Sequence, residues 1–313
     1  MPAKAVVFGG AGFLGSHVAD QLSAQGYAVT IFDQRASGYL GDGQEMVVGD
    51  ILDLEKVIEA TKDAAYIYHY AGIADISQAA KCPVDTVKLN ILGTTNILEA
   101  ARQNKVNRFI FASSLYVYSD LGSFYRSSKQ ACELLIEDYQ KKYDVPFTIL
   151  RFGSLYGDRS NHSNFVHNAV KGALLKGHIE REGDGEEVRK YIHVHDAAQA
   201  SVHVLDEQYC NQHIMITGHQ EIKVKDMLSV IRALVGDEVT IEYKDAPEDE
   251  HYKTTPFSFS PRAAKNLYVE NGLDLHSGLS QYIRTMHEQL KGKKGWMSTD
   301  DPLLQESEQN SST

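Results

Sequence analysis

Cysteine is scarce. Cys82, Cys132 and Cys210 are odd in number and lack CxxC or metal-ligand spacing, which excludes a disulfide scaffold and fits a reducing cytoplasm. Excess positive charge is missing as well. The net charge is −11 and no basic patch is visible, so no nucleic-acid partner is expected, and an anionic substrate would need a local Arg or Lys. No stretch approaches the apolar length of a membrane span, so no membrane partner is expected. The opening apolar run, residues 5–8, is short and ends in glycines, so no signal peptide is expected. Internal repeats are also lacking.

What is present is an ordinary globular balance: 313 residues, 42% hydrophobic and 23% charged, enough for one large domain or two modest ones. Apolar runs at 5–8, 28–32, 46–48, 65–70, 109–112 and 147–152 read as strands. Helices are expected between them at 16–25, 54–61, 84–103 and 125–143. Such alternation predicts an α/β fold, a Rossmann-type doubly wound parallel sheet covered on both faces. After Gly153 the regularity fades into loops, Gly183-Asp184-Gly185, and a helix at 224–234. The expected division is a dinucleotide-binding domain over 1–156, with 190–218 returning to it, and a smaller C-terminal substrate-binding lobe from 157–189 and 219–290. The polar stretch 291–313 is expected to be a disordered tail.

The most informative segment joins the first strand to the first helix: Gly9-Gly10-Ala11-Gly12-Phe13-Leu14-Gly15. Gly9 permits a tight turn, Gly12 lets the backbone approach a pyrophosphate, and Gly15 lets the helix pack close to the sheet. Asp33 ends the second strand, where a carboxylate accepts both ribose hydroxyls and repels a 2′-phosphate. NAD is therefore expected over NADP, with Arg35 the complication. Asp50 and Ile51 fall where the adenine would sit, although Asp50 could equally cap the following helix.

Further on stands Tyr125-x-x-x-Lys129 with Ser114 upstream. Residues four apart share a helix face. An ammonium there is expected to lower the phenol pKa and favour tyrosinate near neutral pH, while Ser114 holds the hydroxyl that loses its proton. With 17 tyrosines the spacing alone decides little; the position near the sheet's ligand crevice gives it weight. His193 and His195 flank Val194, but spacing places no third ligand, so no metal site is expected. The acidic run 245–250 reads as a solvated loop.

With these residues in order, the chain resembles the extended short-chain dehydrogenase/reductase superfamily, in particular the NAD-dependent sugar-nucleotide epimerase/dehydratase family, over residues 4–290. The resemblance rests on the glycine-rich turn, Asp33, Gly49-Asp-Ile-Leu-Asp53, His69-Tyr-Ala-Gly72, Asn90-Ile-Leu-Gly-Thr94, Phe111-Ala-Ser-Ser114, Tyr125-Arg-Ser-Ser-Lys129, Leu150-Arg-Phe-Gly-Ser-Leu-Tyr-Gly157 and the segment from Gly183 through Arg189 to Asp196. It implies Ser114, Tyr125 and Lys129 as the catalytic set. It implies NAD contacts from Gly9, Gly12, Phe13, Leu14, Gly15, Asp33, Gln34, Asp50, Ile51, Tyr70, Ala71, Gly72, Asn90, Tyr125, Lys129 and Phe152. Arg189 and Ser154 would meet the substrate, Arg189 as the clamp on a nucleotide diphosphate. A homodimer through helices 84–103 and 125–143 is implied, with Val87, Leu98, Leu134 and Leu135 as apolar contributors.

Departures matter too. Only eleven positions (125 − 114) separate the serine from the tyrosine, and the family's proline-bearing loop is missing. Dehydratases and decarboxylases of the family carry an acidic residue after the catalytic Ser or Thr; here Leu115 and Tyr116 stand there. Ser154 replaces a frequent asparagine, and 245–253 offers no second arginine for the clamp. The expectation is an NAD-dependent enzyme acting at carbon 4 of a nucleotide-activated sugar, as an epimerase or a net dehydrogenase. The short Ser–Tyr loop is similar to that of a group of GDP-heptose carbon-4 dehydrogenases. Two further readings are an enzyme of a non-nucleotide alcohol, which Arg189 opposes, and a non-catalytic NAD-binding regulator, which the retained tyrosine and lysine oppose.

Overall fold

In the computed structural model, residues 2–245 and 252–256 are described. Most of the acidic run, the later part of 219–290 and the expected tail at 291–313 lie outside the described residues. Seven parallel strands form the main sheet: β1 (Lys4–Phe8), β2 (Ala28–Asp33), β3 (Glu45–Val48), β4 (Ala64–His69), β5 (Arg108–Ser114), β6 (Phe147–Phe152) and β10 (Gln212–Ile216). Their spatial order is β10-β6-β5-β4-β1-β2-β3. The chain reverses its direction of travel across the sheet between β1 and β4, which opens a ligand crevice at the carboxyl ends of those strands.

The continuous apolar run of β1 follows from burial on both faces. Val6 and Phe8 pack with Ile97, Phe109 and Ile136 on one side, while Ala5 and Val7 pack with Leu22, Ile31 and Ala197 on the other. The first side is covered by α2 (Leu54–Ala60), α5 (Gly93–Gln103) and α6 (Ser123–Tyr143). The second is covered by α1 (Phe13–Ala24) and α8 (Val194–His203), which pack against each other. The expected helix 84–103 is found as α4 (Pro83–Thr86), a wider π turn (Val87–Leu92) and α5. A π turn re-aims one side chain out of the regular helical rows, and here it carries Asn90.

Beyond β6 the chain builds smaller sheets that the sequence did not announce. β7 (Ser154–Tyr156), β9 (Val188–His193) and β11 (Glu221–Lys223) form one; β8 (His178–Glu182) and β12 (Thr240–Lys244) form another. Helices α7 (Phe165–Lys176) and α9 (Val224–Val235) pack with the latter pair around Ala173, Ile179 and Leu228. A short helix, α3 (Ile76–Lys81), capped by Asp75, lies ahead of α4.

Candidate active site

The glycine-rich turn is constrained as its spacing suggested. Gly9 adopts φ +78°, and a Cβ on it would lie 2.6 Å from the Ala71 nitrogen. A Cβ on Gly15 would lie 2.3 Å from the Gly9 carbonyl oxygen, so the helix start and the turn are in direct backbone contact. Helix α1 begins after Gly12 with no side-chain cap. Its first N–H groups and its dipole therefore point to an anion supplied from outside. The half-buried Phe13 and buried Leu14 open this helix. Asp33 accepts from the Ala11 N–H at 3.1 Å and from the Arg35 N–H at 3.3 Å, which ties the end of β2 to the turn and leaves lone pairs for a ribose. Gln34 is exposed beside it. These features fit a dinucleotide on structural grounds: a cradle that a Cβ would fill, an uncapped helix start and a carboxylate at the second strand's end.

Other expected contacts divide. Asp50 accepts from the Leu52 N–H at 2.9 Å, while the cap of α2 is Asp53, which accepts from Lys56 N–H. Ile51 is buried, and its side chain fills the space beside Gly93. Tyr70 is stacked on Tyr68, and burial raises its phenol pKa strongly. Asn90 is buried and its amide is spent inside the protein. It accepts from Ile73 N–H at 2.8 Å and donates to the Ile73 carbonyl at 3.0 Å and to Ser128 Oγ at 2.9 Å. It thereby fastens the loop carrying Ala71 and Gly72 to the helix of Tyr125. Phe152 is buried at the end of β6.

Ser114 ends β5, and Tyr125 and Lys129 lie on the buried face of α6 with Ser128, Cys132 and Glu133. The Ser114 hydroxyl acts on the Tyr125 phenol and lowers its pKa. The expectation of tyrosinate is corrected by the surroundings. Burial pushes the Tyr125 phenol up to about 12, only partly offset by Ser114. The Lys129 ammonium donates to the Ala112 carbonyl at 2.7 Å and lies over the Phe111 ring at 4.6 Å, farther from the Tyr125 ring at 5.9 Å. Burial in turn lowers the Lys129 pKa. Without ligand the pair is a neutral phenol beside a desolvated ammonium.

Beyond Tyr125 stand two tyrosines that motif reading did not join. The Tyr116 ring stands edge-on to Tyr125 at 6.2 Å and against Tyr252 at 4.6 Å. A Cβ on Gly122 would lie 2.6 Å from Tyr116 Cδ1, so the short Ser–Tyr loop closes tightly under this ring. Arg189 is buried. Its guanidinium lies 4.2 Å over the Tyr252 ring and donates to the carbonyls of Val188 and Tyr252. Burial raises the Tyr252 phenol pKa, partly offset by Arg189 and Ser154. Leu115, directly after Ser114, is buried.

A parallel sheet with a glycine-rich turn at its switch point and Ser114, Tyr125 and Lys129 at a neighbouring strand end is the arrangement expected of an NAD-dependent enzyme. The chain belongs to the NAD dependent epimerase/dehydratase family, whose model matches residues 5–217. A Methanocaldococcus jannaschii protein that carries the provisional name UDP-glucose 4-epimerase is 28% identical over 303 residues, covering 90% of this chain and 97% of that protein. A UDP-N-acetyl-alpha-D-glucosaminuronate decarboxylase of Bacillus cytotoxicus is 28% identical over 260 residues, covering 75% of this chain and 81% of that protein. The solved UDP-glucose 4-epimerase of Thermus thermophilus, a complex with NAD, superimposes with a TM-score of 0.72 at 25% identity, covering 82% of this chain and 90% of that one. The relatives are enzymes of sugar nucleotides, and the family's cofactor is NAD. Among the described residues no helix is long and apolar enough to cross a membrane.

Proposed function

We propose that the chain is a carbon-4 epimerase, or net dehydrogenase, of a nucleotide-activated sugar, with Ser114, Tyr125 and Lys129 as its catalytic residues. The observation that carries this reading is Ser114 at the carboxyl end of β5 acting on Tyr125, which shares the buried face of α6 with Lys129, with apolar Leu115 and aromatic Tyr116 following the serine. Bound NAD supplies a hydride acceptor and, when oxidised, a positive ring charge. Ser114 holds the sugar's 4-hydroxyl oxygen, and Tyr125 takes its proton. Because burial keeps Tyr125 protonated in the free chain, ligand binding must bring positive charge to the phenol before it can act as a base. Lys129 supplies part of that charge once its ammonium turns from Ala112 towards a ribose. Elimination of water would need a base for carbon 5 and an acid for the hydroxyl on carbon 6, and neither Leu115 nor Tyr116 is a carboxylate. Arg189 is the diphosphate clamp, its guanidinium held face-on by the Tyr252 ring.

Incubation with UDP-, GDP- and dTDP-sugars and NAD, followed by mass analysis, tests the reading. Equal mass with inverted carbon 4 identifies an epimerase; loss of two hydrogens identifies a dehydrogenase, with a GDP-heptose-like sugar the first to try. A product lighter by one water overturns the assignment. The same reading includes a homodimer in the cytoplasm. Val84, Val87 and Leu134 are exposed for such an interface, whereas Leu98 is fully buried and Leu135 half-buried against the core. Light scattering that returns a monomer at micromolar concentration would remove the dimer.

A further inference from the structure

The two-stranded sheet of β8 and β12 has one apolar face and one polar face. Ile179 and Ile241 point into the cluster beneath α7 and α9. On the other face the parallel register sets Thr240 beside His178 and Glu242 beside Glu180. Two carboxylates directly opposite each other across strands cost stability unless a cation relieves them.

His178 is oriented towards them. Its Nδ1 lies 2.8 Å from Thr240 Oγ1, and that hydroxyl donates to the Gly177 carbonyl at 3.4 Å. In the tautomer where Thr240 Oγ1 accepts from Nδ1–H, the Nε2 lone pair faces the carboxylates and can take a cation; in the other tautomer Nε2–H donates to Glu242. Nε2 stands 3.2 Å from Glu242 Oε2 and 3.8 Å from Glu180 Oε1. The three donor atoms lie within 4.8 Å of one another. Tetrahedral zinc with bonds of about 2.0–2.1 Å places its ligand atoms about 3.3 Å apart, so the histidine–glutamate edge already has metal-site dimensions. A lone pair and two anions converging on one point repel each other and attract a cation. An imidazole held by a hydrogen bond from its other nitrogen is the usual outer support of a metal-bound histidine. The nitrogen ligand favours zinc, cobalt or nickel over magnesium or calcium. Lys244 is the internal competitor, at 2.9 Å from the other oxygen of Glu180.

We propose that His178, Glu180 and Glu242 form a zinc-class divalent cation site that cross-links β8 to β12, with Thr240 positioning the imidazole. The proposal departs from the expectation of no metal site; spacing could not suggest these ligands because they come from strands 62–64 residues apart. The site is independent of the crevice chemistry.

Chelator-treated full-length protein titrated with Zn2+ by calorimetry, and with Co2+ by visible absorption, tests it. One site is expected to weaken at least about tenfold in both His178→Gln and Glu242→Gln, and about tenfold in Thr240→Val, the usual effect of losing such a support. Lys244→Ala should tighten binding by freeing Glu180. All four positions are on the exposed face, so circular dichroism should stay that of the parent. An isotherm unchanged by His178→Gln, or no binding up to roughly 0.1 mM, an energy below about 6 kcal/mol, overturns the proposal and leaves an ordinary cross-strand ion pair. Binding that survives in Glu242→Gln but not in His178→Gln overturns the three-ligand form.

Discussion

The two halves of the crevice are built differently. The cofactor half, at the ends of β1 to β4, comes from short consecutive segments: a seven-residue turn, one aspartate at a strand end and one loop after β4. Its fit depends on backbone, because Gly9 and Gly15 meet main-chain atoms. The half proposed for the substrate, at the end of β5 and the starts of β7 and β9, is assembled from side chains far apart in the chain. Tyr116, Tyr125, Ser154, Arg189 and Tyr252 meet only after folding. A backbone-built site tolerates few substitutions and keeps one ligand class. A side-chain-built site can change its substrate by changing single residues. If the difference is real, mutations in one half should leave the other half's ligand nearly untouched.

The largest expected effect is at Tyr125. Tyr125→Phe should lower turnover by about 10²–10⁴-fold, the usual weight of a positioned proton-transfer group, and leave NAD affinity within about twofold. Lys129→Met should damage both turnover and NAD binding. Near-normal turnover in Tyr125→Phe would break the assignment. The phenol's protonation gives a second readout. Its pKa is raised to about 12 in the folded chain, above its ordinary value of about 10. The neutral form is the one that folding favours, so this contribution to stability is complete below about pH 10 and is lost as pH rises towards 12. Ultraviolet titration of the ligand-free protein should show no tyrosinate signal near pH 9 that Tyr125→Phe removes. Such a signal would restore the expectation of a pre-formed tyrosinate.

Next in size is Gly15→Ala. The added Cβ meets the Gly9 carbonyl oxygen, a backbone atom that cannot swing away. Overpacking of this kind costs about 1–3 kcal/mol. Calorimetry should show NAD affinity falling about five- to a hundredfold, with a lower melting temperature. Unchanged NAD binding would mean the cradle is not where the pyrophosphate sits.

The difference between the halves also explains what could be read in advance. Six strands of the main sheet were visible because buried parallel strands are unbroken apolar runs, as in Ala5-Val6-Val7-Phe8. The glycine turn was visible because its constraint is local. Tyr252 was not, since its meaning comes from Arg189 and Tyr116, which lie 63 and 136 positions away (252 − 189, 252 − 116). The strands β7, β8, β11 and β12 are three to five residues long and mostly polar on one face, too short for periodicity to show. The π turn around Asn90 is equally silent in sequence, because Val87–Leu92 reads as regular helix. Tyrosinate was expected from the Tyr–Lys spacing and its position in the chain; what these omit is that Lys129 has Ala112 as its partner and that burial dominates.

A smaller effect is expected at Tyr252. Its ring holds the Arg189 guanidinium face-on, a contact worth about 0.5–2 kcal/mol when desolvated. Tyr252→Ala should raise the KM for the nucleotide sugar about two- to thirtyfold and leave NAD affinity within about twofold. Tyr252→Phe keeps the ring over Arg189 and loses only the hydroxyl, so it should lie close to the parent. If both variants change NAD binding as much as KM, the halves are not separable.

The smallest effect is at Asp33, and it tests the cofactor half by its finest feature. The carboxylate does two things in the structure. It accepts from the Ala11 and Arg35 backbone N–H groups, and it presents its remaining lone pairs at the end of β2, where a ribose is expected. Asp33→Asn keeps one carbonyl oxygen for the Ala11 turn and replaces the other with a donor, so the turn should survive. What is lost is the negative charge that repels a 2′-phosphate, and Arg35 is left beside the site without an opposing anion. Fluorescence titration should therefore find NAD bound a few-fold more weakly and NADP a few-fold more tightly, with the KM of the sugar unchanged. Equal affinities for the two nucleotides in the parent protein would already contradict this reading, because then Arg35 rather than Asp33 would set the choice. A rise in sugar KM in Asp33→Asn would mean that the substrate half senses the end of β2.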